Sequence, residues 1–182
     1  MKKKFKKKVD EIIRVNHAGE YGAQRIYSGQ LKFCQKESLK TKLRKIIKEE
    51  YEHYDYFNEV MIKKRTRPTL MNPLWHHGGY LLGVITALMG EKYVNACTEA
   101  VEEVIVEHYE DQIEFLEKEG IEKSMLRKIK KFQSDEDAHK SDAIDSNRNY
   151  NPRFFKIFTK GLTKLAIKVS KSGQLIFITK SK

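Results

Sequence analysis

The chain has few of the residues that interrupt helices and few that bind metals through sulfur. It contains three prolines and two cysteines in 182 residues. Pro68, Pro73 and Pro152 all fall between helical patterns, so none of them is expected to break a helix. Cys34 and Cys97 lie in separate helical segments without CxxC spacing. This pattern indicates a reducing compartment and cysteines that serve ordinary packing.

Long apolar runs and alternating strand patterns are also scarce. The segment 69–90 has no Asp, Glu, Lys or Arg, but its continuous apolar part is shorter than the ~20 residues of a membrane-spanning helix. Alternation with period two occurs only at 174–179. The basic start has no apolar segment behind it, so no signal peptide is predicted. At 182 residues and 21.4 kDa, the chain predicts a single all-α domain with a substantial core.

Acidic residues are outnumbered, and the excess of positive charge lies at the two ends of the chain. The net charge is +11 with a pI of about 9.5. Six lysines fall within residues 2–8, and near the other end Phe and Leu alternate with Lys156, Lys160, Lys164 and Lys168. This second pattern predicts a basic amphipathic helix that is attracted to an anionic membrane surface. The alternative is a docked terminal helix with a solvated lysine face. No helix-turn-helix, zinc module or aromatic-basic pattern is present, so nucleic acid is not an expected partner.

The charge-free segment 69–90 permits two interpretations. It can form a short apolar crossover helix that is buried between the two halves of the chain. It can also lie in a membrane interface, with Trp75 and Tyr80 at the depth of the lipid headgroups.

Two Glu-x-x-His tetrapeptides, at 50–53 and 136–139, are the most informative motifs. Each places a carboxylate and an imidazole one turn apart on the same helix face. In four-helix bundles, two such pairs and two single glutamates on further helices hold a pair of iron or manganese ions. Carboxylates and imidazoles suit these metals, whereas a structural zinc site would favour thiolates. The predicted metal ligands are Glu20, Glu50, His53, Glu102, Glu136 and His139.

These polar residues fall on the apolar stripes of amphipathic helices, so they are expected to be buried. Ordinary hydrogen bonds or salt bridges do not readily explain all six of them. One buried acid or histidine usually has a satisfied hydrogen bond or salt bridge. Burying an ionised carboxylate without a partner costs several kcal/mol, and the same stripes carry no comparable number of basic residues. Two metal cations would neutralise four carboxylates directly. The phase is least clear around Glu102, where Glu103 competes for the role.

The order of these motifs predicts a four-helix bundle built from two similar halves. A helix with one glutamate is followed by a Glu-x-x-His helix, and the order then repeats, with turn signals at 37–38 and 119–120. We expect a basic tail at 1–8 and a single domain at 9–182. Its metal-binding helices are predicted near 10–34, 38–64, 91–118 and 121–146, and its membrane-facing elements near 69–90 and 152–172.

The segment 14–30, Arg-Val-Asn-His-Ala-Gly-Glu-Tyr-Gly-Ala-Gln-Arg-Ile-Tyr-Ser-Gly-Gln, resembles the opening signature of the demethoxyubiquinone hydroxylase family. These are ferritin-like di-iron enzymes of ubiquinone biosynthesis. The similarity continues through 67–69, 71–75, 86–90, 96–103 and 131–139, and it covers nearly the whole chain except the lysine-rich start and the last dozen residues. The resemblance implies a ferritin-like four-helix bundle with a di-iron centre, formed by two Fe ions per chain that are Fe²⁺ in the reduced form.

The resemblance places the family's ligand pattern on the same six residues and favours Glu102 over Glu103. It also implies that Glu50 and Glu136 bridge the two ions, with one histidine on each iron. His108 adjoins Glu107, a position where relatives can carry a second histidine. Its role is therefore left open: it could support a metal ligand or contact the substrate. The remaining histidines are expected to serve structure or substrate contacts rather than metal binding: His17, His76 and His77.

The resemblance further implies a monooxygenase that hydroxylates a polyprenylated methoxy-methyl-benzoquinol, demethoxyubiquinol, with O2. The resemblance also implies that electrons arrive through the quinone substrate, with NADH as the ultimate donor. The sequence has no GxGxxG motif after a strand, so no stable nucleotide domain is expected. The protein is expected to be peripheral, on the cytoplasmic face of the cell membrane. Its expected partners include a second copy of the chain or a lipid-binding accessory protein. The alternative function is ferritin-like iron storage or detoxification with the same ligands. A nucleic-acid-associated protein with a structural metal is a weaker third.

Overall fold

The computed structural model describes residues 3–171, which form six α-helices and no strand. The helices are α1 (Lys3–Phe33), α2 (Glu37–Lys64), α3 (Asn72–Met89), α4 (Glu91–Glu119), α5 (Lys123–Ser146) and α6 (Arg153–Ser170). The predicted all-α class is confirmed. The basic start continues α1 from Lys3, where a separate tail had been expected. The candidate strand at 174–179 lies outside the described residues.

Helices α1, α2, α4 and α5 form an antiparallel four-helix bundle. The turn between α4 and α5 is closed by Gly120, whose φ of 62° is the left-handed conformation that glycine adopts without strain. Across the bundle, Asn16 on α1 and Gln112 on α4 exchange two side-chain hydrogen bonds of 2.8 Å. The end of α2 lies beside the start of α5, where Lys64 donates a hydrogen bond of 2.6 Å to Glu122. Two helical hairpins, α1–α2 and α4–α5, are therefore packed against each other, as the two similar halves of the sequence predict.

The bundle core consists of two apolar clusters separated along the helix axes by a polar layer. The lower cluster includes Ile13, Phe57, Leu116 and Ile129, and the upper cluster is centred on Leu43. In each bundle helix, the predicted ligands fall beside or between residues of these clusters. Burying apolar surface on both sides stabilises the bundle by ~25 cal/mol per Å² and keeps water away from the polar layer.

Helix α3 crosses from one helical hairpin to the other and lies parallel against α1. The approach is close because Gly29 and Gly83 face the partner backbone, and a Cβ on either would clash with it. Gln30 and Thr86 are hydrogen bonded at 3.2 Å in the same interface. The opposite side of α3 exposes large apolar residues, among them Leu81 and Leu88. This segment is thus a crossover helix with one packed face and one bare apolar face.

Helix α6 packs beside α4 in an orientation that differs from both sequence-based alternatives. Three of its lysines contact the bundle, and its most exposed apolar residues point away from it. Three of the lysines pair with acids that recur every four residues on α4: Lys156 with Glu99 at 2.7 Å, Lys160 with Glu103 at 2.5 Å and Lys164 with Glu107 at 3.1 Å. The prediction of a lysine face toward headgroups or solvent is therefore wrong for Lys156 and Lys160, whereas Lys164 stays 60% exposed. The exposed side consists of Phe154, Ile157, Phe158, Leu162 and Leu165.

No helix among residues 3–171 combines the length and the apolar character needed to cross a membrane.

Candidate metal centre

The structure brings all six predicted ligands into the polar layer of the bundle, and every one of them is at least 95% buried. Their donor atoms form two groups, each with all its atoms within 4.8 Å of one another. The first group contains Glu20 and His53, the second contains Glu102 and His139, and both groups share two carboxylates, those of Glu50 and Glu136. Each group is large enough to bind one cation. The carboxylates of Glu50 and Glu136 are within reach of both groups.

Burial decides between the two adjacent acids of α4 that the sequence left in competition. Glu102 is 1% exposed and contributes to a donor group. Glu103 is turned away from the core, with 35% of its side chain exposed, and it pairs with Lys160. One residue along a helix rotates the side chain by about 100°, which separates the core-facing position from the α6-facing one.

The two imidazoles have the same orientation. Nδ1 of His53 and Nδ1 of His139 each lie 2.9 Å from a different carboxylate oxygen of Glu136. Their Nε2 atoms point outward, to Asp135 at 3.1 Å and to Glu49 at 2.7 Å. Neither acid was predicted from the sequence, although each immediately precedes a Glu-x-x-His motif and this position was a usable signal.

Two buried tyrosines complete the layer, and their site role was also missed. Tyr27 on α1 donates a short hydrogen bond to Glu102 on α4, and Tyr109 on α4 donates one to Glu20 on α1. Both tyrosines lie seven residues after a predicted ligand, which is two turns along the same helix face. The repeated Glu-x6-Tyr spacing could have predicted them. Each tyrosine restrains the orientation of the glutamate on the opposite helix.

The acids and histidines of this layer shift one another's pKa values. Burial, together with neighbouring carboxylates, raises the pKa of Glu50 and of Glu102 well above the usual value. Burial also opposes ionisation of Glu136, but hydrogen bonds from both histidines lower its pKa. Burial disfavours the charged histidines as well, yet nearby carboxylates raise the pKa of His53 to about 11 and that of His139 to about 9. The site therefore retains protons that a metal cation would displace.

The carboxylate of Glu50 provides the most direct test of whether these residues fit a metal. Both of its oxygens are buried, and neither has a hydrogen-bond partner among residues 3–171. An unsatisfied buried carboxylate is costly, and Glu50 belongs to both donor groups. Cations on either side would satisfy both oxygens. The complete donor set of four carboxylates and two imidazoles is one that iron and manganese accept.

The remaining histidines lie outside the two donor groups of the described chain. His17 is buried and stacks on Tyr54, with 4.7 Å between the ring centroids. Nδ1 of His76 lies 2.5 Å from the Tyr21 hydroxyl, between α3 and α1. His108 lines an open groove of about 500 Å³ between α4 and α6, and burial lowers its pKa to about 4. None of these placements makes a histidine a ligand of the centre.

A four-helix bundle with two Glu-x-x-His helices and two Glu helices around one buried layer belongs to the class of ferritin-like helical bundles, and its carboxylate and histidine groups could hold metal ions. Within that class, residues 7–170 match the family model described as Ubiquinone biosynthesis protein COQ7. The chain belongs to this family, and the resemblance seen in the sequence is confirmed.

Curated relatives cover most of the chain. The mitochondrial NADPH-dependent 3-demethoxyubiquinone 3-hydroxylase of Mus musculus is 44% identical over 148 residues, which are 80% of this chain and 68% of the relative. The protein of the same name from Dictyostelium discoideum is 41% identical over 173 residues, or 93% of this chain and 80% of the relative. The 3-demethoxyubiquinol 3-hydroxylase of Rhodospirillum rubrum is 39% identical over 165 residues, or 89% and 77%.

Proposed function

We propose that this protein is a di-iron monooxygenase that hydroxylates the ring of demethoxyubiquinol with O2 during ubiquinone biosynthesis. The observation that carries the proposal is the buried double donor group with its two shared carboxylates, in a chain that matches the COQ7 family over almost its whole length. Relatives named for this hydroxylation support the choice of substrate. The family match favours this function over iron storage, the alternative that the sequence left open.

The chain's own residues would hold and isolate the centre. Glu50 and Glu136 would bridge two iron ions, Glu20 and Glu102 would each bind one ion, and one histidine would bind each ion. When bound, the two ferrous ions would supply the electrons and the coordination sites that O2 reduction requires. The apolar clusters above and below the layer exclude water, which strengthens electrostatic interactions within the site and limits side reactions.

We propose that reducing equivalents come from a reduced nicotinamide nucleotide and reach the centre through the quinone ring. The name of the mouse relative specifies NADPH, whereas the sequence analysis suggested NADH, so both nucleotides belong in the assay. The sequence has no GxGxxG motif for a stably bound dinucleotide. The nucleotide would then act as a transient donor.

A peripheral position on the cytoplasmic face of a membrane suits a substrate whose polyprenyl tail resides in the bilayer. The bare apolar faces of α3 and α6 support this proposal, and the two helices meet where Trp75 donates a hydrogen bond of 3.0 Å to Ser170. Three α6 lysines already pair with α4. The contact would therefore depend mainly on apolar burial, with a smaller contribution from anionic lipid than the sequence suggested.

The proposal can be tested with iron-reconstituted protein, demethoxyubiquinol in lipid vesicles and isotopically labelled O2. Mass spectrometry should find one labelled oxygen atom in the ring of the product. Glu102→Gln should abolish the reaction, and the neighbouring Glu103→Gln should retain most of it as the matched control. Product without the label, or equal loss in both variants, would contradict the proposed chemistry.

A further inference from the structure

We propose that Glu49 and Asp135 are positioning residues of the metal centre, and that each serves one of its two ions. Each acid would hold the histidine of the opposite Glu-x-x-His motif in the orientation and tautomer that metal binding needs. The inference rests on the proposed dinuclear centre and adds a function for two residues that lie outside both donor groups.

The geometry is reciprocal. Glu49 precedes the motif of α2 and contacts Nε2 of His139 on α5 at 2.7 Å. Asp135 precedes the motif of α5 and contacts Nε2 of His53 on α2 at 3.1 Å. Because α2 and α5 are antiparallel, the residue before one motif lies opposite the end of the other. The repeated pattern is therefore longer than Glu-x-x-His, since both halves of the chain read acid-Glu-x-x-His at 49–53 and 135–139.

The chemistry of histidine ligands explains why such a contact matters. A histidine binds a metal through an unprotonated ring nitrogen, so its other nitrogen carries the proton. Nδ1 of both rings already faces the shared carboxylate of Glu136. The Nε2 proton would then be donated to Glu49 or Asp135. A carboxylate in that position fixes the tautomer, restrains ring rotation and makes the ligating nitrogen a better donor.

The two acids differ from the ligands in their surroundings. Their side chains are 30% and 26% exposed, whereas those of the ligands are at most 6% exposed. Asp135 also forms an ion pair with Lys131 at 2.6 Å, and a carboxylate oxygen of Glu49 lies 3.9 Å from the Lys45 ammonium group. Each histidine is thus linked through one acid to a solvated lysine. Both acids therefore lie at the edge of the buried layer, between an imidazole and a lysine on the surface.

A purely structural explanation is that these contacts only join α2 to α5. The two explanations make different predictions. A structural contact would affect the folding of the metal-free protein and both metal sites together. A positioning residue would affect chiefly the ion bound by its own histidine.

The test uses Mn²⁺ as the probe, with binding to the full chain measured by equilibrium dialysis. Glu49→Gln and Asp135→Asn should each weaken one of two bound ions by ~10- to 100-fold. The other ion should bind with wild-type affinity, so each substitution should separate the two binding constants rather than lower both together. Exposed acids in the same motifs provide matched controls, and Glu52→Gln and Asp137→Asn should leave both affinities unaltered.

A double-mutant cycle identifies which ion each acid serves. In a His139→Ala background, one ion remains, held by the His53 group. Adding Glu49→Gln should then have no further effect, whereas adding Asp135→Asn should still weaken the remaining ion. Unchanged affinity in both single variants, or equal weakening of both ions by either one, would overturn the inference. Wild-type protein that never binds a second Mn²⁺ would instead overturn the dinuclear centre, and the inference with it.

Discussion

The ion pairs between α6 and α4 differ in burial, and this difference predicts a graded effect on stability. The Lys156–Glu99 pair has side chains only 16% and 14% exposed, with 2.7 Å between the charged atoms. The Lys164–Glu107 pair has side chains 60% and 57% exposed, at 3.1 Å. Lys156→Gln would leave Glu99 largely buried beside a neutral group, whereas Lys164→Gln would leave Glu107 in water.

The magnitudes follow from this burial. Losing a hydrogen bond to a partly buried charge should cost about 2 kcal/mol, and losing the exposed pair roughly 0–0.5 kcal/mol. For a chain of this size, the melting temperature should fall by ~4–8 °C for Lys156→Gln and by ~0–2 °C for Lys164→Gln.

Thermal melts followed by circular dichroism would measure both variants, and hydrogen exchange of residues 153–170 would detect local release of α6. Exchanging the buried pair, as Lys156→Glu with Glu99→Lys, should recover much of the lost stability. Salt should weaken the exposed pair more than the buried one. Equal losses in the two single variants, or a larger loss for Lys164→Gln, would show that the lysine face of α6 does not dock on α4 as described.

Three further predictions concern the centre, the crossover helix and the exposed apolar surface. Because the folded pKa values of His53 and His139 lie near 11 and 9, above their ordinary 6.5, they stabilise the metal-free protein below pH ~6.5. That contribution to stability is lost as the pH rises through 9 and then 11. The melting temperature of the metal-free protein should therefore fall between pH 7 and 10, and that of the iron-loaded protein should not. Gly83→Ala should destabilise the fold by ~1–3 kcal/mol in urea titrations, because the new Cβ meets the α1 backbone. Gly161 has open space around it, so Gly161→Ala should stabilise α6 by ~0.5–1 kcal/mol. Similar effects of the two substitutions on stability would refute the close α1–α3 packing. Phe154 is 90% exposed and should contribute to the binding of both zwitterionic and anionic vesicles. Vesicle flotation that is unaffected by Phe154→Ser would argue against an apolar contact by that end of α6.

The sequence was sufficient to predict the helices that carry the site and the six side chains that meet there. Glu50 and His53 interrupt an apolar stripe, and such an interruption is visible without coordinates because burial follows helical phase. The phase was ambiguous on α4, where apolar residues surround more than one face. The choice between Glu102 and Glu103 needed either the family resemblance or the contact with Lys160.

What the sequence analysis missed were interactions between helices. No role was predicted for Tyr27 or Tyr109, because hydrogen bonding to a glutamate on another helix depends on how the helices are paired. Glu49 was overlooked for the same reason, since its partner is 90 residues away. The orientation of α6 was mistaken because an amphipathic pattern defines two faces without stating which one docks. The acids at matching spacing on α4 were the available clue: Glu99, Glu103 and Glu107.

The central claim is that one buried layer holds two metal ions joined by Glu50 and Glu136. Iron analysis combined with Mössbauer spectroscopy, after anaerobic reconstitution of the full chain, tests it most directly. The account predicts two iron ions per chain with the magnetic coupling of a bridged pair, and loss of that coupling in Glu50→Ala. A preparation that never exceeds one iron per chain, or that contains two uncoupled ions, would contradict it.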